Sequence, residues 1–223
     1  MDNSLVLRLI RKDLYLNRWL IALAIVGAYL SFIPARTGTF GFFFGLVMFI
    51  TILIVFGLFV GMEGVTRESR EKISVFVQSL PISPTQYMVA KVAAALIAFG
   101  SVWALMTVSV VAITLMSDEL PNGGIPPTVC ILGLLLSNFC MLLAIGVITH
   151  SPRWTTGGII ITNTSITLVM VALFNHPQVQ ATIGGTEAVW NPVVQICLAI
   201  EAFIIVASFA TMLYVHSRRT DFI

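Results

Sequence analysis

The chain has 223 residues, of which 58% are hydrophobic and only 10% charged, with a formal net charge of +2 and a mean hydropathy of +0.99. That leaves too little polar surface to cover a soluble globule, and it argues against a nucleic-acid partner, because the basic residues are few and sit at the ends of apolar stretches instead of lining a groove. The bilayer is the solvent such a chain suits, and a segment in lipid must satisfy its own backbone, so the fold class is read as an all-α membrane protein forming a single transmembrane domain over residues 1–223.

Residues 4–18 form the first predicted element, an amphipathic helix. Arg8, Arg11, Lys12, Tyr15 and Arg18 recur on one side, while Val6, Leu9, Ile10, Leu14 and Leu16 supply the other. Such a helix is expected in the membrane interface, either as a plain anchor or as an elbow leading into the first span. A basic stretch before an apolar run also has the outline of a secretion signal, but no Ala-x-Ala-like site closes it near residues 31–36, and it is read as retained.

Six apolar spans are predicted, at residues 19–33, 40–61, 84–116, 127–148, 156–174 and 192–215. The first is short for a crossing, and the third is long enough to tilt or to begin outside the hydrocarbon. In the second, Phe42, Phe49, Phe56 and Phe59 are read along one flank, and Gly57 and Gly61 make a small-x-x-x-small pair. The glycines point to close helix packing. Phe49 and Phe56 are candidates for lining a greasy route, against the alternative that these rings face lipid.

Between the second and third spans, residues 64–83 are long enough for one more helix. The run Thr66-Arg-Glu-Ser-Arg-Glu-Lys72 is charged with mixed sign, and Ile73, Phe76, Val77 and Leu80 then come at i, i+3, i+4, i+7. That apolar stripe is costly to leave in water, so it packs under the protein's own spans or docks into a soluble partner. Pro81 ends the helix, and Ser83-Pro84-Thr85-Gln86 offers an N-cap, a Pro at the first helical position and Gln at the third. With no slack linker between them, movement of the loop is expected to pass into the third span. Glu63, Arg70 and Lys91 at this boundary form either a charge network or a set of independent headgroup anchors, with Arg67 beside them.

The fifth span carries Thr162, Asn163, Thr164, Ser165 and Thr167 near its middle, a polar density suited to a helix interface or a pathway, and Asn163 is the first pathway candidate. Glu201 lies inside the last span, where a carboxylate must be hydrated, paired or protonated; it either satisfies a structural need or meets a cationic group of a substrate. Cys130, Cys140 and Cys197 fall in spans and read as small buried hydrophobes before metal ligands or disulfide partners. His150, His176 and His216 are scattered, and no His-Glu-x-x-His or Gly-x-Ser-x-Gly occurs, so neither a metal site nor catalytic residues are assigned.

Alternate crossings put eleven of the twelve Lys and Arg residues on one side, leaving only Arg36 on the other. By the positive-inside bias both termini are expected in the cytoplasm, with the protein multi-pass in the cell (plasma or inner) membrane.

The basic entry helix, the six spans, and the loop Glu63-Gly-Val-Thr-Arg-Glu-Ser-Arg-Glu-Lys72 followed by Ser79-Leu-Pro-Ile-Ser83 and Lys91 resemble the permease subunits of type-2 ABC exporters. The topology matches over essentially the whole chain, the motif over residues 63–91. The resemblance implies that residues 64–83 are a cytoplasmic coupling helix, with Arg67, Arg70, Ile73, Phe76, Val77 and Leu80 meeting an ATPase. It implies that residues 175–191 form short re-entrant helices acting as an external gate, which Gly184 and Gly185 can break. It further implies two copies of a separate ABC ATPase and a second permease copy, most simply a homodimer. No Gly-x-x-x-x-Gly-Lys-Ser/Thr loop is present, so ATP and Mg are expected in that partner and no cofactor in this chain, which is not itself read as an enzyme. The expected function is outward movement of an amphipathic or lipophilic substrate, whether peptide, drug or lipid. The alternatives are a non-transporting scaffold or immunity protein, and an ion-driven carrier.

Overall fold

In the computed structural model the described residues are 3–35, 39–62, 84–117, 120–149 and 151–217. They are helical with no strand among them, and five of the helices are long and apolar enough to cross a membrane, or up to six if one bent pair counts as a single span. The predicted coupling loop, including Glu63, Arg67, Arg70, Ile73, Phe76, Val77 and Leu80, lies outside the described residues.

Helix α1 (Asn3–Leu16) leads into α2 (Arg18–Leu30) and the single turn α3 (Phe32–Ala35), and α1 is bent by 52° against the stretch Arg18–Pro34. At the joint the Asp13 carbonyl accepts both from the Asn17 backbone N–H at 3.0 Å and from Asn17 Nδ2 at 3.1 Å. The first span predicted over 19–33 is as short as read: α2 has 13 residues, about 20 Å of helix, and reaches crossing length only together with its neighbours. At its far end Ser31 Oγ turns back on the Ala28 carbonyl at 2.6 Å, closing α2 before the next turn begins.

The second, third and last spans are α4 (Thr39–Met62), α5 (Pro84–Met116) and α9 (Pro192–Ser217), each starting or ending within two residues of the predicted limits. Helices α6 (Ile125–Thr149) and α7 (Pro152–Asn175) start earlier than predicted. Proline explains both shifts. Pro126, Pro127 and Pro152 fall in first turns, where the missing N–H would have had no helical partner anyway. Between α7 and α9 lies one seven-residue helix, α8 (Pro177–Ile183), which packs on a 3-10 turn, Asn122–Gly124, ahead of α6.

Helix α6 is the axis of the bundle, touching α4, α5, α7 and α9. Its sequence is apolar all round and carries small residues at alternating steps of three and four: Cys130, Gly133, Ser137, Cys140 and Ala144, all but Gly133 buried. Small side chains let a neighbouring backbone come close, which in lipid replaces the hydrophobic drive that water would supply. On a different face, Phe139 stacks on Phe99 of α5 at 4.1 Å between ring centroids, and Phe56 of α4 extends the stack at 6.1 Å. Gly57 makes room for it, since a Cβ there would lie 3.0 Å from the Phe99 ring and 3.3 Å from that of Phe139. Trp103 of α5 adds a hydrogen bond from Nε1 to the Leu132 carbonyl at 2.7 Å.

Candidate functional site

Three polar clusters interrupt this apolar bundle. The first joins α1 to α5. Leu9, Ile10, Asp13 and Leu14 lie on the covered side of α1, while Arg8, Arg11, Lys12 and Tyr15 are exposed. The amphipathic pattern is as read, except that its apolar side packs chiefly on α5, and Leu16 is exposed. Lys91, about two turns into α5, places Nζ 2.8 Å from Asp13 Oδ2, both side chains nearly covered, and also faces the Tyr87 ring. A buried pair of this kind holds because each charge replaces the other's lost hydration. The expected partners of Lys91, Glu63 and Arg70, lie outside the described residues. Asp13 is absent from the residues singled out by pattern; its place on the apolar face of an otherwise basic helix is the signal that could have found it.

The second cluster is a seam between α6 and α7. Asn138 Nδ2 donates to the Thr162 carbonyl at 3.5 Å, and Ser165 Oγ donates to Asn138 Oδ1 at 3.4 Å. Gly158 continues the seam, its missing side chain accommodating Leu142 and Ile145. Thr162 and Ser165 thus serve the helix interface. Asn163, one residue from Thr162 and so rotated by about 100°, is exposed with Thr164 and Thr167. The two threonine hydroxyls bond to carbonyls within α7. A crevice lined by Gly57, Asn138, Thr162 and Asn163 runs beside the seam. Of the phenylalanines proposed for a route, Phe49 and Phe56 are core residues, at 5% and 2% exposure, whereas Phe59 is 52% exposed. Residues 49 and 56 are seven apart and share a face, while Phe59, three residues beyond Phe56 and turned by about 60° from it, lies at the exposed edge of the same flank.

The third cluster surrounds Glu201, which is 3% exposed in α9. Its Oε1 accepts from Cys130 Sγ of α6 and Cys197 Sγ of its own helix, both at 3.4 Å. Its Oε2 is buried without a hydrogen-bond partner and lies against Gly133, where a Cβ would collide with it. Cys197 and Glu201 stand at i, i+4, so half of this cluster is readable in the sequence. The contribution of Cys130, 71 residues away, is not.

At the end of the bundle where α8 sits, Asn191 caps α9 by accepting from the Val194 N–H at 3.1 Å and donates toward the Gln178 carbonyl at 3.4 Å. Gly123 donates to the Gly185 carbonyl at 2.9 Å, and a side chain at Gly123 would run into the Thr182 carbonyl. Gly184 ends α8, so the segment 175–191 contains one short helix closed down on its neighbours.

Residues 8–216 match a family model described as ABC-2 family transporter protein. No curated protein and no solved structure matches the chain.

Proposed function

The chain belongs to the ABC-2 family of transporter proteins, and from that premise we propose that it is the membrane permease subunit of an ATP-driven exporter, powered by a separate ABC ATPase. The match over residues 8–216 carries the permease role. Export, the choice of substrate and the coupling route go beyond that match and belong to the proposal.

In this reading residues 64–83 seat in the ATPase through Ile73, Phe76, Val77 and Leu80, with Arg67 and Arg70 at the rim. Movement of that segment passes directly into α5, which begins at Pro84. The buried Asp13–Lys91 pair supports the route, because it ties α1 to the same early turns of α5. Two such permeases assemble around one pathway, with residues 175–191 as the external gate and both termini in the cytoplasm of a cell-membrane protein. The exposure of Asn163 in the middle of a membrane helix fits this arrangement: an amide facing lipid is expensive, and a second subunit or an aqueous path would satisfy it. The substrate is amphipathic or lipophilic.

The test is co-expression with a candidate ABC ATPase, then pull-down and ATPase assay in lipid. Wild type is expected to copurify with the ATPase and to change its turnover, and Phe76→Asp to abolish both while leaving the permease folded. Association that survives Phe76→Asp unchanged removes the coupling segment from the proposal, and absence of any ATPase partner overturns the exporter reading in favour of a scaffold.

A further inference from the structure

The Glu201 cluster is not used by the coupling route, and it contains an anomaly. A carboxylate oxygen buried among membrane helices with no hydrogen-bond partner is rare, because it loses its hydration without return. The sequence makes room for that oxygen, since Gly133 is the position where any side chain would strike Oε2.

The three side chains have the donor set and the spacing of a metal site. The ligand atoms of Cys130, Cys197 and Glu201 all lie within 4.8 Å of one another, and each sulfur is 3.4 Å from Glu201 Oε1. Bonds of about 2.3 Å to sulfur and about 2.0 Å to oxygen, opened to a tetrahedral angle, give a sulfur–oxygen edge of about 3.5 Å. Two thiols hydrogen-bonded to one carboxylate oxygen therefore already stand near the edges of a coordination tetrahedron. The third cysteine, Cys140, is buried elsewhere on α6 and does not belong to the group.

We propose that Cys130, Cys197 and Glu201 form a three-ligand site for a thiophilic divalent cation of the zinc class, bridging α6 and α9. Sulfur ligands select against magnesium and calcium, and the carboxylate favours a divalent ion over a purely soft monovalent one. Binding forms two metal–sulfur bonds and one metal–oxygen bond. The two thiol protons, with the carboxyl proton where one is held, are released to solvent, and nothing is oxidised or reduced. Three protein ligands leave a fourth position open. Because the ligands come from two helices packed along their length, the cation would fasten the α6–α9 interface.

The experiment uses the purified full-length chain in lipid nanodiscs under reducing conditions. It is titrated with Cd2+, monitored by thiolate-to-metal charge-transfer absorbance, and with Zn2+, monitored by bound metal per chain. One metal per chain is expected, with absorbance corresponding to two thiolate bonds and at least a tenfold loss of affinity in Cys130→Ser and in Cys197→Ser. Cys140→Ser should bind as wild type does. Zn2+ should also raise the melting temperature of wild type but not of the serine variants. The wild-type spectrum stands even if a serine variant folds poorly. Absence of a thiolate band, or metal binding unchanged in the Cys130→Ser/Cys197→Ser double variant, overturns the site. Because no ATPase is present, failure here is separate from failure of the exporter reading.

Discussion

Lys91 and Asp13 meet at 2.8 Å with both side chains nearly covered, and what that pair is worth depends on how it is broken. Removing one partner takes a close counter-charge from the other in a poorly hydrated site, so Asp13→Asn is expected to destabilise the protein, by up to about 3–5 kcal/mol. Replacing both by apolar residues, as in Asp13→Leu with Lys91→Met, is expected to recover most of that loss, since neither charge is then left without its partner. Thermal melting of the single and double variants measures this directly. A double variant no more stable than the single would mean that the pair is not the relevant interaction. The sequence contains the charge of Lys91 but does not name its partner, because an ion pair between residues 78 apart in sequence is set by how two helices lie together. The same holds for Cys130, which pattern reading leaves as one more small apolar residue.

At the scale of the helix, glycines separate into those that admit a neighbour and those that do not. Gly57 meets the rings of Phe99 and Phe139 at 3.0 and 3.3 Å, whereas a Cβ at Gly100 meets nothing within 4 Å. Gly57→Val is therefore expected to overpack the junction of α4, α5 and α6, costing about 1–3 kcal/mol. Gly100→Ala is expected to be neutral or to gain up to about 1 kcal/mol from helix propensity. Melting temperatures of the two variants in one detergent decide the matter, and equal effects would refute the packing assignment. The small-x-x-x-small spacing announces a close approach at Gly57, but it cannot name the rings. Helix limits are legible where a proline or an Asx cap marks them, as at Pro84 and Pro192. They are misplaced by hydropathy at α7, where the first-turn Pro152 sits ahead of the apolar run. The break between the entry helix and the first span is legible as the elbow expected over 4–18, but its angle of 52° is not, because hydropathy reports composition along the chain and is blind to direction.

At the scale of the molecule, five helices among the described residues are long and apolar enough to cross, or six if α1 and the helices after it act as one bent span. That parity sets the placement of the ends. The strong Lys and Arg bias predicts six crossings with both ends in the cytoplasm. In sealed cells, a cysteine introduced at Asp221 is expected to resist a membrane-impermeant thiol reagent, as is one at Asn3, while one at Thr186 is expected to react. Labelling at Asn3 together with protection at Asp221 would mean five crossings, with the bent pair lying on the membrane instead of through it. The outer faces of α7 and α9, with Ile160, Leu168, Phe203 and Val206 all exposed on this single chain, are the surfaces that lipid or a second subunit must cover.

The sequence by itself determined the class, since 58% hydrophobic residues in long apolar runs admit only a helical membrane protein. It determined most helix limits, because capping and proline effects act within a turn or two. It also disclosed the family, through the order of its elements and the charged loop. Only the tertiary structure decided which polar residues meet across helices: Asp13 with Lys91, Asn138 with Ser165, and Cys130 with Glu201. These contacts join residues remote in sequence, and in lipid they arise from which small-residue faces let two helices approach, a property of the pair that neither helix carries alone.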